Sequence, residues 1–266
     1  MSKNILVTGA SSGFGLLIAN ELHQKGYNVI GTSRNPEKVQ SKVSFKMIAL
    51  DLDSEQSINT LPERLFKEVS KLDILINNAG FLVNGIAEET SIELGRQQLE
   101  TNFWGTIKVT NAILPYLRKQ KSGKIITVGS IIGIVSFPNA AYYAASKHAL
   151  EGYFKALRYE LDGFNIRVAM IEPAAFKTSI LDNASTSINK IEDYNSLRNK
   201  IEKFTNDLVD KAENPKMVSE VVLKVVQTDK PKFRNIVGKG TSVLINLQHF
   251  AYGMLEKNVL KQLNKF

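Results

Sequence analysis

Asn4-Ile5-Leu6-Val7-Thr8-Gly9-Ala10-Ser11-Ser12-Gly13-Phe14-Gly15 is the stretch on which the reading of the whole chain turns. A short apolar run ends at Thr8, and glycines follow at 9, 13 and 15. From Leu16 to Lys25 the apolar residues Ile18, Ala19 and Leu22 fall at helical spacing, and Gly26 closes the helix. The order is strand, glycine-rich turn, helix. Glycine allows backbone angles and close approaches that a side chain forbids, while a helix start offers unpaired N–H groups and a positive dipole end to a phosphate. The glycine spacing differs from the Gly-x-Gly-x-x-Gly fingerprint, so its position in the first strand–helix unit carries the reading.

Working outward, strands are expected at Tyr27–Thr32, Val43–Leu52, Asp73–Asn77, Lys124–Val128 and Asn165–Ile171, the last stopping at Glu172-Pro173. Helices are expected over Ser54–Leu72 with a break at Pro62, over about Ser91–Lys119 with Asn102 in the middle, and from Tyr143 to about Leu161. Strands alternating with helices mean right-handed crossovers and a parallel sheet covered on both faces. The expected fold is α/β, a single-domain, doubly wound Rossmann-type sheet spanning residues 1–266. After Pro173 the pattern weakens. Residues 174–215 read as a substrate flap with helices, the polar part being Ala174–Lys190, and a helix is expected at Met217–Val226. Asn235–Val237 reads as a short last strand, and Ser242–Leu263, within a C-terminal region 240–266, as one amphipathic helix.

Composition narrows the function classes. With 266 residues, 43% of them hydrophobic and 23% charged, the chain is long enough for one large core and is not of disordered composition. It has no cysteine, which rules out disulfides, thiol nucleophiles and thiolate metal sites, and its three histidines are widely separated, so no metal is expected. No apolar run approaches the roughly 18 residues of a membrane span. A cytoplasmic protein without an integral membrane segment is the expectation. The net charge of +8 comes from Lys and Arg scattered among acids rather than from a basic block, so nucleic acid is not an expected partner. The mild positive field suits a polyanionic cofactor.

Tyr143 and Lys147 lie four residues apart, on one face of a helix. An ammonium beside a phenol favours the phenolate and lowers its pKa toward neutrality, which fits the Tyr for general acid–base work. Tyr142 falls well around the helix and reads as a packing or substrate-facing residue. At the tip of the second strand, Gly31-Thr32-Ser33-Arg34-Asn35 has no acid, and Arg34 stands about 20 residues beyond the glycine turn, where the group that discriminates nicotinamide cofactors is found. A guanidinium there accepts a 2′-phosphate, so NADP(H) is expected over NAD(H).

Taken together, Thr8 to Gly15, Asn77-Asn78-Ala79-Gly80, Asn102, Ser130 and the Tyr143–Lys147 pair resemble the short-chain dehydrogenase/reductase family over roughly residues 3–178. The resemblance implies that Tyr143 exchanges a proton with the substrate oxygen, that Lys147 lowers its pKa and binds the nicotinamide ribose, and that Ser130 holds the substrate oxygen. It also implies that Asn102 places a water beside Lys147 in a proton relay. Gly9, Ser11, Ser12, Gly13, Phe14 and Gly15 would cradle the pyrophosphate. Asp51 and Leu52 would meet the adenine, Asn78, Ala79 and Gly80 the adenosine ribose, and Pro173, Phe176 and Thr178 the nicotinamide carboxamide. Ala174 departs from the glycine that the family usually has after that proline.

Residues expected to face substrate are largely apolar, Ile132 and Phe137 foremost, alongside Ser130 and Tyr143, with Ile131, Val135, Tyr142 and Phe176 nearby. The implied function is an NADP(H)-dependent oxidoreductase that interconverts a hydrophobic alcohol and its ketone or aldehyde, in the manner of a carbonyl reductase. Its C-terminal region is reminiscent of steroid- and retinol-type relatives. The family also implies a homo-oligomer, dimer or tetramer, with a partner subunit covering the helices that carry Asn102 and Tyr143. The competing reading is a catalytically silent NADP(H)-binding redox sensor, since a fold does not imply turnover.

Overall fold

The computed structural model describes residues 2–176, 185–186 and 189–265. Seven strands form one parallel sheet: β1 (Asn4–Val7), β2 (Asn28–Ser33), β3 (Lys46–Ala49), β4 (Ile74–Asn77), β5 (Gly123–Val128), β6 (Ile166–Pro173) and β7 (Arg234–Val237). Their spatial order is β3-β2-β1-β4-β5-β6-β7. The chain therefore winds outward from β1 in one direction, then returns to β4 and winds in the other. Between β1 and β4 the direction switches, and a crevice opens outside the carboxyl ends of the strands. Register brings those ends level, with Val7 beside both Gly31 and Ile76, and Asn77 beside Thr127.

Side chains alternate across each strand, which divides the core in two. Leu6, Leu75, Ile125 and Val168 pack on one face with Val109, Ile113 and Phe154, while Ile5, Val7, Ile76 and Ile171 pack on the other with Ile18, Leu22 and Val222. The expected strand at 43–52 pairs only over Lys46–Ala49. The expected break near Pro62 is real: helices Glu55–Asn59 and Leu61–Glu68 meet at Thr60, with Pro62 in the first turn of the second, where its missing N–H is harmless.

Two departures bear on the site. The long helix expected around Asn102 is Ile92–Leu99, then a π-helical segment Glu100–Gly105, then Thr106–Gln120. The single C-terminal helix expected at Ser242–Leu263 is instead two, Thr241–Phe250 and Tyr252–Leu263, broken at Ala251 (φ −149°, ψ 49°). In a straight helix Ile245 and Leu255 would stand about 15 Å apart along the axis. The bend brings both into one apolar cluster with Ile131, Ile134 and Val135. Among the described residues, no helix is long and apolar enough to cross a membrane, and no group of three or more His, Asp or Glu is gathered as a metal ion would need.

Candidate active site

The glycine turn leaves β1 and enters helix Gly13–Gln24 at the switch point. Gly9 (φ +67°) and Gly13 (φ +53°) both take left-handed backbone. A Cβ on Gly15 would lie 2.1 Å from the Gly9 carbonyl oxygen and 2.4 Å from Asn78 Nδ2, so only glycine lets the turn close there. The first helical bond runs from Leu16 N–H to Ser12 O at 3.1 Å. The N–H groups of Gly13, Phe14 and Gly15 are thus left to an acceptor outside the helix, and Ser12, exposed at the N-cap, makes no side-chain cap bond. Ser11 is half-buried beside it.

Asn78-Ala79-Gly80 leaves β4 directly against this turn. The Thr8 hydroxyl accepts N–H bonds from Asn78 (2.9 Å) and Ala79 (3.0 Å), and Asn78 Nδ2 donates to the carbonyls of Thr8 (3.0 Å) and Gly9 (3.3 Å). Thr8 is a locking residue that the sequence reading passed over, although a hydroxyl at a strand end was visible. Arg34 stands exposed just beyond β2. Asp51 Oδ1 accepts the Asp53 N–H at 3.1 Å, while the Leu52 side chain goes into the core. At the end of β6, Pro173 is buried, and Phe176 meets Phe14 edge-on, ring centroids 5.9 Å apart. Thr178 lies outside the described residues. The backbone cradle at Gly15 and the helix start suit a pyrophosphate, so these residues fit a nicotinamide dinucleotide.

Ser130 follows β5 in extended conformation and caps a short 3-10 turn, its Oγ accepting the Ile132 N–H at 3.2 Å. Its hydroxyl also acts on the Tyr143 phenol, favouring the ionised form. Helix Ala141–Leu161 carries Tyr143 and Lys147 on its buried face, 8% and 7% exposed. Lys147 Nζ sits 5.7 Å from the centre of the Tyr143 ring and donates to the Val128 carbonyl at 3.0 Å.

The electrostatics differ from the sequence expectation. Burial pushes the Tyr143 phenol up to about 12; the Ser130 hydroxyl pulls it down, and Glu172, where ionised, adds to the rise. Burial takes Lys147 down to about 8, with Glu172 opposing. The phenol is not drawn toward neutrality, because desolvation of the phenolate is the largest influence on it. Asn102 is held firmly in place. Its amide pins the Phe81 backbone, Nδ2 to O at 2.9 Å and Phe81 N–H to Oδ1 at 3.0 Å, and reaches Ser146 Oγ at 3.4 Å, while Oδ1 keeps a second lone pair for a further donor. Asn102 lies in the π-helical segment, and a Cβ on Gly80 would approach its Oδ1 to 2.9 Å, so a larger residue there would push the amide aside.

On the substrate side, Ile132 packs with Tyr143, Leu82 and Ala140, and Phe137 against the C-terminal helices. Tyr142 is a packing residue: its ring covers Gly95, where a Cβ would come within 2.4 Å, and it borders a shallow outer hollow with Ile92 and Trp104. Glu172, 1% exposed, was not singled out from the sequence, yet its Oε2 accepts the Ser130 N–H at 2.9 Å.

Comparison with known proteins agrees with this geometry. The family model for short chain dehydrogenase matches residues 3–189. A 3-ketodihydrosphingosine reductase of Bacteroides thetaiotaomicron is 37% identical over 248 residues, covering 90% of this chain and 89% of that protein. The uncharacterized oxidoreductase YusZ of Bacillus subtilis is 37% identical over 261 residues, covering 92% of each. In structure, a short-chain dehydrogenase from Streptomyces avermitilis superposes with a TM-score of 0.84 at 28% identity, covering 100% of this chain and 98% of that one. A short chain dehydrogenase/reductase from Burkholderia phymatum, in complex with NAD, shares the fold, with a TM-score of 0.80 at 19% identity and 95% coverage of each chain. The chain belongs to the short-chain dehydrogenase/reductase family. It is an oxidoreductase of the class that acts on CH–OH groups with a nicotinamide nucleotide.

Proposed function

We propose that this oxidoreductase uses NADP(H) to interconvert a hydrophobic alcohol and its ketone or aldehyde, with Tyr143 exchanging the proton. The cofactor, when bound, supplies or accepts the hydride. Tyr143, protonated at neutral pH, gives its hydroxyl proton to a carbonyl oxygen during reduction; Ser130 holds that oxygen; Lys147 offsets the phenolate charge left behind. The observation that carries the reading is the Lys147 ammonium held 5.7 Å from the centre of the buried Tyr143 ring, with the Ser130 hydroxyl near enough to act on the phenol. Arg34, exposed at the tip of β2 with no acid beside it, supports a 2′-phosphate. Ile132 and Phe137 support an apolar substrate, and the name of the Bacteroides relative makes long-chain ketones the first compounds to try.

Ile92 and Trp104, about half exposed beside Tyr142, support a second copy of the chain on that face. The test is a panel of ketones and aldehydes of increasing chain length, followed by NADPH and NADH absorbance. Consumption of NADPH rising with chain length is expected. Tight NADPH binding without turnover across the panel would favour the redox-sensor reading.

A further inference from the structure

Glu172 closes a strand whose other residues are apolar apart from Arg167, and it lies under the loop that carries Ser130. Its carboxyl is packed flat there, since a Cβ on Gly129 would come 2.8 and 2.9 Å from its two oxygens. Oε2 has a donor, the Ser130 N–H. Oε1 is buried and has none, and the same is true of Glu151 Oε2. Glu151 Oε1 is ion-paired with Arg234 on β7. The charged groups that face Glu172 are Glu151 and Lys147 from the Ala141–Leu161 helix and Arg234 from β7, and Tyr143 lies within its field.

Ionised carboxylates are acceptors only, so two of them side by side would repel each other and leave two buried oxygens without a donor. Each such orphan is costly. One proton between them supplies both. We propose that Glu172 and Glu151 share a single proton, and that Glu172 is a positioning residue, uncharged yet still presenting an oxygen to the Ser130 N–H. Burial first, then the charge and hydrogen bond of Glu151, hold Glu172 well above the carboxylate range, while Lys147 and Arg234 pull less strongly the other way. The consequence reaches the site. A neutral Glu172 leaves the Lys147 ammonium uncompensated, so its charge acts on Tyr143; an ionised Glu172 would cancel it and oppose the phenolate.

This inference rests on the reading of Ser130, Tyr143 and Lys147 given above, and its test begins without a substrate. Infrared spectra of the natural chain at neutral pH should show the carbonyl stretch of a buried protonated carboxylic acid, and Glu172→Gln should lose it. The folded chain keeps a proton that the unfolded chain releases above 4.5, so the natural chain should lose stability as pH rises above that value. Glu172→Gln, isosteric with the protonated acid, should flatten that slope. With any ketone that is turned over, Glu172→Gln should keep kcat within about threefold, whereas Glu172→Ala should lower it tenfold or more with KM for NADPH unchanged, on the order expected when a positioning contact is lost. A neutral-pH spectrum without the acid band, or a stability slope the same in Glu172→Gln as in the natural chain, overturns the shared proton, whatever the substrate panel shows.

Discussion

Lys147→Met asks whether the chain carries a buried ammonium at the expense of its own stability. Burial takes Lys147 from the ordinary 10.5 down to about 8, a penalty on the charged form of roughly 3 kcal/mol. Methionine has a similar length and no charge. It gives up one hydrogen bond, Nζ to the Val128 carbonyl at 3.0 Å, worth about 1 kcal/mol. The variant should therefore be about 2 kcal/mol more stable at neutral pH, which in a chain of this size raises Tm by roughly 4–8 °C.

The pH dependence gives the sharper check. The folded chain releases the Lys147 proton at about 8 and the unfolded chain at 10.5. Between those values the unfolded state binds more protons, so the natural chain gains stability from this group as pH rises. The advantage of methionine is full below about pH 8 and fades toward 10.5. Tyr143, pushed up to about 12, is present in both proteins and drops out of the difference to first order. Urea unfolding of the two proteins on either side of pH 8 measures this, and turnover should be lost in the variant at both. A variant less stable than the natural chain at neutral pH would refute the reasoning, for it would mean that an ionised Glu172 stabilises the ammonium by more than burial costs it.

Tyr143→Phe should lower kcat by about 10²–10⁴ while NADPH affinity, read by fluorescence titration, stays within about twofold, because the phenyl ring keeps the packing and loses only the proton. Arg34→Asp should raise KM for NADPH by roughly 10- to 100-fold and leave KM for NADH nearly unchanged, the scale of one or two lost charge-assisted bonds; equal effects on both cofactors would remove Arg34 from the specificity assignment. Gly15→Ala would thrust a Cβ to 2.1 Å from the Gly9 oxygen, where backbone must move, and should cost about 2–4 kcal/mol in unfolding experiments together with nucleotide binding. Gly13→Ala, with open space but φ +53°, should cost only about 1 kcal/mol.

The parts of this architecture legible in the sequence are those written in local pattern. Glycines at 9, 13 and 15 are favoured for reasons of backbone angle or contact, and the alternation of strands and helices points to the sheet. The missed features depend on what surrounds a residue. Gly253 weakens the helix only slightly, and it is the packing of Ile245 and Leu255 on the Ser130 loop side that goes with the break at Ala251. The upward shift of Tyr143 comes from burial, which spacing alone does not reveal. The Glu151–Glu172 pair did leave a trace. Tyr143, Lys147 and Glu151 recur every four residues along one helix stripe, and Glu172 ends a strand that is apolar from Val168 to Ile171. A glutamate in line with two inward-facing polar residues is a signal that periodicity can deliver.

Two buried lysines show how the same side chain serves opposite ends. Both are held down to about 8 by burial. Lys124, in β5, gives all three ammonium protons to main-chain carbonyls, of Val225 (2.7 Å), Val226 (2.9 Å) and Thr228 (2.7 Å), and so ties the end of helix Lys216–Gln227 to the sheet. Its donor capacity is exhausted. Lys147 gives one bond, to Val128, among the described residues, and lies over the Tyr143 ring with two donors left over. A lysine wholly bonded to its own chain can only hold structure. One that is desolvated and only partly bonded is poised to bind something else, and the neutral carboxyl proposed at Glu172 is what keeps its charge available to do so.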